Sequence, residues 1–443
     1  MKTKKIIWLL FFLFYFIFSN NLLSQIPQEF KERRERLMEN ISSESIIMLK
    51  GSSETSGNGD VNSPFRQSSN FYYFTGLEIP DCILFLSPGR KIYIREKREY
   101  VKELILVPPQ NIQREIWNGA KLGPEGVMEE LGFESALPNT EYENYFRNLL
   151  FQADTLFFEY SPLSLDKPLT RELEIIKKAK ERLYNFETAP INNNKIIQLR
   201  EIKSSSEIEL IKKAIEITRQ AHKNIMKEAR PGMYEYELEA ILEYTFKKNG
   251  ARRSGFRPII GSGPFSCILH YNKNDRKTNP GELVVIDIGA EYKMYTADIT
   301  RTIPISGKFS QRQKEIYNIV LKAHDEAISL IKPGIRKNEI HNKAVDIISD
   351  GLVNLGLIKD KKEYRKYYMH GTSHPIGLDV HDPSVSRILK PGMIITIEPG
   401  IYIREENLGI RIEDDVLVTE SGYEILSKGT PVTIEEIENL MDR

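Results

Sequence analysis

Val284-Val285-Ile286-Asp287-Ile288-Gly289 sets a carboxylate inside an apolar run that reads as a strand. A lone acid there is costly to bury unless its charge is compensated. The arrangement recurs. Tyr295-Thr296-Ala297-Asp298-Ile299-Thr300-Arg301, Ile394-Ile395-Thr396-Ile397-Glu398-Pro399-Gly400 and Gly409-Ile410-Arg411-Ile412-Glu413-Asp414-Asp415 place Asp298, Glu398 and Glu413 in or beside similar runs. A single strand aspartate is ordinarily a surface-facing residue. Four such acids in one domain would repel one another, and shared divalent cations remove both problems.

Three of the seven histidines, His370, His374 and His381, fall within 12 residues. That density beside strand acids points to a catalytic or metal-binding cluster. His374 is the best ligand candidate among them. His270 follows the turn-rich Gly261-Ser262-Gly263-Pro264, an approach suited to a pocket wall. Arg411 and Glu413 are two apart, so on a strand they share a face. An oxygen-rich set with one imidazole suits Mn(II), Co(II) or Zn(II) better than a thiolate-seeking metal. The chain has no Gly-rich phosphate loop, no Gly-x-Ser-x-Gly and no His-Glu-x-x-His.

The C-terminal half also repeats itself. Ala221-His222 and Pro231-Gly232-Met233 return as Ala323-His324 and Pro333-Gly334-Ile335, 102 residues on. Pro280-Gly281 opens the run to Asp287 and Pro391-Gly392 the run to Glu398, an offset of 111 that His270 and His381 share. Asp298 and Gly307 match Glu413 and Gly422 at 115. Each half therefore supplies an early acid, a late acid and a histidine, which a pseudo-two-fold fold would bring together at its centre. A turn around Ala290 to Lys293 is expected to lay Asp287 and Asp298 side by side.

The chain of 443 residues suits two domains and has 62 basic and 62 acidic side chains. Without a concentrated basic stripe, nucleic acid is excluded as a partner. With 40% hydrophobic and 28% charged residues, the composition is that of an ordinary globular protein. Lys2, Lys4 and Lys5 precede an apolar run from Ile6 to Phe18, too short for a membrane span. Residues 1–24 are therefore expected to be a signal peptide for export to the periplasm or medium, with an uncleaved anchor as the alternative. No stable membrane insertion is expected after cleavage. Removing those lysines takes the formal charge from 0 to about −3. Cys82 and Cys267 read as buried thiols and not as metal ligands.

Residues 25–195 read as an N-terminal mixed α/β domain with strands at Ile46–Leu49, Cys82–Leu86 and Leu104–Val107. Ser52 to Ser63 reads as a loop, Leu173 to Tyr184 as a helix and Asn192 to Lys195 as a linker. Residues 200–443 form the second domain, with Ser206 and Glu209 as a capping box at its first helix.

Asp287, Asp298, His374, Glu398 and Glu413 resemble the five-ligand set of the pita-bread metallopeptidases. Several stretches look specifically like aminopeptidase P. The resemblance runs through Gly261–Tyr271, Met369–Asp382, Glu398–Ile403 and Gly409–Asp415, and through Phe65-Arg66-Gln67 and Phe71–Gly76 in the N-terminal half. Asn70 stands where that family often carries Asp. The resemblance implies an α/β fold, an N-terminal domain followed by a pita-bread domain with an internal pseudo-two-fold repeat. It implies a hydrolase that releases the residue before a proline in second position. Two divalent ions per subunit, Mn(II) first and Co(II) or Zn(II) as alternatives, would activate a water. By the same resemblance Asp298 and Glu413 bridge both ions, Asp287 binds one, and His374 with Glu398 binds the other. Glu398 shuttles the proton. His270 and His381 hold the scissile region, supported by His370, Tyr402 and Arg411. The implied partners are peptides with proline second and further copies of the chain, as dimer or tetramer. A prolidase would share every ligand, and a non-catalytic peptide-binding relative would have lost one.

Overall fold

The computed structural model describes residues 28–442 except 120, 160–169, 183, 192 and 193. The expected signal peptide, residues 25–27 and Asn192-Asn193 of the expected linker lie outside the described residues. The chain divides into two units between Leu199 and Arg200. Asn194 and Lys195 are not linker: they open the helix Asn194–Glu201, where the apolar Ile196 is buried. Among the described residues no helix is long and apolar enough to cross a membrane.

The first unit is built on a six-stranded sheet. Its spatial order is Glu187–Pro190, Thr155–Phe158, Ser45–Lys50, Ile83–Leu86, Glu103–Val107 and Ala136–Pro138. The two central junctions are antiparallel and the outer three parallel. The middle strands are almost wholly apolar because both faces are covered. Phe146, Leu149 and Leu150 of the helix Tyr142–Gln152 and Ile175 of the helix Arg171–Glu181 pack on one face. Each such side chain contributes roughly 1.5–3 kcal/mol. The second of these helices ends at Glu181, short of the expected Tyr184. The expected loop at Ser52 to Ser63 holds an exposed hairpin, Ser56–Asn58 with Val61–Asn62. Cys82 and Cys267 are buried free thiols.

The second unit realises the repeat in its backbone. The helices Ser205–Glu228 and Glu235–Lys248 form one pair, Gln311–Ser329 and Lys337–Asn354 the other. The first is capped by Ser204 with Glu207, two residues before the expected box. The serine run offers both registers, and in the one adopted Glu207 also accepts from Tyr295. After each pair's Pro-Gly turn an isolated bridge forms, Tyr234 with Lys277 and Arg336 with Ile388. These four residues are related by the same offsets of 102 and 111. The turns use Gly232 at φ 91° and Gly334 at φ 90°, a left-handed backbone that glycine adopts without strain.

The strands follow suit. Leu283–Ile288 corresponds to Ile394–Ile397, and Ile299–Pro304 to Asp414–Val418. The offset rises from 111 to 115 at the hairpin tips. Tyr292 and Tyr295 are joined by Lys293-Met294, both at positive φ, whereas Ile403 and Leu408 are joined through Arg404–Glu406 and Asn407. Ala290–Tyr292, expected as turn, is therefore strand, and the turn lies two residues later. A single core takes in Ile286, Ile303, Ile395 and Val416 from the strands and Ile225, Leu242, Ala323 and Ile348 from the helices.

Candidate metal centre

Of the four carboxylates only Asp287 stands within a strand. Asp298, Glu398 and Glu413 sit in two-residue breaks, at Ala297-Asp298, Glu398-Pro399 and Ile412-Glu413. Pro399 has no N–H and ends its ladder. At the first break the chain closes tightly: a Cβ on Gly289 would stand 1.8 Å from the Ala297 carbonyl oxygen. Asp287 lies opposite Thr300 in the ladder, two residues from Asp298.

The two late acids are tied across the pseudo-axis. Thr300 Oγ1 donates to Glu413 Oε2 at 2.7 Å, and Glu413 N donates to the Thr300 carbonyl at 3.1 Å. In return, Asp298 N donates to Asp415 Oδ2 at 3.1 Å. Thr300 and Asp415 each lie two residues after a late acid, so each half braces the other's. Arg301 adds bonds to the Glu413 carbonyl at 2.7 Å and to Asp414 at 2.8 Å.

Around these acids the expected histidine arrives from the loop before Ile394–Ile397. His374 Nε2 is 3.5 Å from Asp298 Oδ2 and 3.8 Å from both Glu398 Oε1 and Glu413 Oε1. Its Nδ1 lies 3.0 Å from the Pro375 carbonyl and so carries the proton. Nε2 then presents a lone pair toward three carboxylates. Asp298, His374 and Glu413 bring one ligand atom each within 4.8 Å of one another. Glu398 stands beside this group, its N–H donating to the Thr372 carbonyl at 2.8 Å. Asp287 faces the group differently: its Oδ2 takes a bond from Arg411 at 2.7 Å.

Asp287 Oδ1, Asp298 Oδ1 and Glu413 Oε1 are buried without a hydrogen-bond partner. Burial, with Glu413 next, raises Asp298 and Glu398 well above the carboxylate range. Burial and Asp287 push Glu413 up to about 8. Burial holds His374 down to about 4. Orphaned oxygens, mutual repulsion and a bare imidazole nitrogen all fit divalent cations held among oxygen ligands.

The supporting residues also gather. His370 Nε2 meets Tyr402 Oη at 2.9 Å, and Arg411 donates to the same Oη at 2.9 Å. His381 packs edge-on against His374 with ring centres 4.2 Å apart. His270 is exposed and close enough to His370 to act on its charge. The Ala-His pairs of the repeat lie elsewhere: His222 is buried 2.9 Å from the Ile299 carbonyl, and His324 is buried 3.0 Å from Asp414. Sequence reasoning missed Thr300, Arg301, Asp415 and Thr372. For Thr300 and Asp415 the available signal was their position two residues after Asp298 and Glu413, equivalent through the repeat.

Residues 209–420 match metallopeptidase family M24, and residues 30–157 match the aminopeptidase P N-terminal domain. The Xaa-Pro aminopeptidase of Escherichia coli K12 is 37% identical, over 94% of this chain and 97% of its own. The structure of E. coli aminopeptidase P with the inhibitor Pro-Leu superposes at a TM-score of 0.85 and 36% identity, covering 94% of this chain and 98% of that one. A zinc-substituted E. coli aminopeptidase P in complex with product, with the same coverage and identity, superposes at 0.84. The chain therefore belongs to metallopeptidase family M24, in its aminopeptidase P group.

Proposed function

We propose that the chain is a metal-dependent aminopeptidase releasing the first residue of peptides with proline in second position. The observation that carries the reading is the set of orphaned carboxylate oxygens around the bare His374 nitrogen. In this reading Asp287, Asp298, His374, Glu398 and Glu413 hold two divalent cations. Mn(II) is the first choice for such oxygen-rich ligands, with Co(II) or Zn(II) as substitutes. When bound, the cations supply electrophilic activation of the scissile carbonyl and of water.

The chain's own side chains do the rest. Glu398, whose burial raises its affinity for a proton, would take one from the attacking water at its carboxylate and pass it to the leaving prolyl nitrogen. His270 and His381 hold the substrate around the scissile carbonyl. His370 is kept neutral, pushed down to about 3 chiefly by burial, and fixes Tyr402 by a hydrogen bond. Arg411 spans Tyr402 and Asp287 and so keeps the substrate side and the cation side in register. A prolyl nitrogen after the scissile carbonyl has no N–H, so its selection rests on shape. Export through residues 1–24 and self-association as dimer or tetramer belong to the same proposal.

The test is the chain from Gln25 onward with Mn(II), offered an Xaa-Pro-Yaa tripeptide and an Xaa-Pro dipeptide. Release of the first residue from the tripeptide, lost with chelator and restored by metal, is the expected result. Cleavage of the dipeptide alone would make the protein a prolidase.

A further inference from the structure

We infer that Glu235 is the positioning residue for His270. The inference rests on the proposed contact between His270 and the peptide. Glu235 opens the helix Glu235–Lys248 and is fully buried. Its Oε1 accepts from Ser262 N at 2.8 Å and Ser262 Oγ at 2.6 Å. Its Oε2 accepts from Tyr271 Oη at 2.7 Å and Arg276 N at 3.0 Å. One carboxylate thus staples three points of the segment that carries His270. A buried carboxylate with four donors at a helix N-terminus is well compensated. Arg276 closes the same ring by donating to Ser262 Oγ at 2.7 Å.

Among the described residues the His270 imidazole has no hydrogen-bond partner of its own. Its place is set by the backbone around it, and the anchor next to it is Tyr271 on Glu235. The repeat does not demand this acid. At the equivalent position, 102 residues on, stands Lys337, which donates to Ser384 Oγ at 2.5 Å. The His381 loop is held by another device, Asp382 buried against Lys203 at 3.0 Å and against Arg200. Glu235 is therefore matched to the His270 segment and not to the fold in general.

The experiment compares kcat and KM on an Xaa-Pro-Yaa tripeptide for the Mn(II)-loaded full chain, Glu235→Gln, His270→Ala and the double variant. Glu235→Gln should lower kcat/KM roughly tenfold to a hundredfold while metal content stays at the wild-type level. In the His270→Ala background the same substitution should change kcat/KM by less than about twofold, because its target is gone. Losses that multiply would overturn the inference, as would a silent Glu235→Gln or a silent His270→Ala. Should Glu235→Gln not fold, Tyr271→Phe deletes only the phenol donor beside His270 and is read by the same coupling. A wild-type protein that binds metal but cleaves no tripeptide defeats the functional reading itself, before any variant is compared.

Discussion

The two halves of the C-terminal unit share a backbone but not an electrostatic load. In the first half His222 sits against the carbonyl of Ile299, and burial pushes it down to about 3, so it is neutral. In the second half His324 occupies the equivalent place but faces the Asp414 side chain. Against the penalty of burial, Asp325 and Asp414 raise it. Asp414 in turn pairs with Arg301 of the first half. Asp287 and Asp298 come from one half, and His374, Glu398 and Glu413 from the other. The duplicated backbone sets where side chains project, while the differences between halves decide which carry charge, proton or ligand.

The largest expected effect tests the division of labour among the ligands. Glu398→Gln should cut kcat roughly 10²–10⁴-fold. Its counterpart in the repeat, Asp287, carries no proton in this scheme, so Asp287→Asn should act mainly through bound metal, read by elemental analysis. His374→Ala should lose metal and activity together. Near-normal turnover in Glu398→Gln would remove it as the proton carrier.

A second comparison concerns the two loop clasps. Asp382→Ala strands the buried cations Arg200 and Lys203 and should cost about 3–5 kcal/mol. Burial alone would raise the Asp382 carboxyl, and Lys203 and Arg200 outweigh it. Urea unfolding measures the loss. A change below 1 kcal/mol, taking that figure as the upper end for a surface pair, would show that the pair is not closed in solution.

The smallest effect is the dependence of stability on pH. His222 has a depressed folded pKa, so the unfolded chain takes up its proton first, and stability falls as pH drops below about 6.5. His324 has a raised one, so its contribution is present below about 6.5 and fades as pH rises through the folded value. Between pH 6.5 and pH 4.5, His222→Gln should flatten the acid loss by roughly 1 kcal/mol per pH unit, whereas His324→Gln should leave that window nearly unchanged and remove the loss of stability seen as pH rises above about 6.5. Parallel curves for the two variants would refute the contrast.

Much of this was legible before any fold was known. The offsets of 102, 111 and 115 located both helix pairs and both strand sets, because Pro-Gly recurs at the first two offsets and an acid with a following glycine at the third. The metal candidates were legible because a carboxylate in an apolar run needs a partner, whatever the run pairs with. The hairpin turn was read two residues early and the first capping box two residues late. Neither position is specified locally: a strand end depends on its neighbour's register, and a serine run offers several caps.

The sequence by itself determined the two-fold plan, the five ligand-type residues and the family. The tertiary structure alone decided that Asp287 leans on Arg411, that Thr300 and Asp415 brace each other's half, and that His222 and His324 are buried supports of the residues that follow Asp298 and Glu413. The reason is physical. Spacing along a chain encodes period and residue type. Which oxygen faces which nitrogen is set by strand breaks and by pairing between segments more than 100 residues apart, such as Thr300 with Glu413.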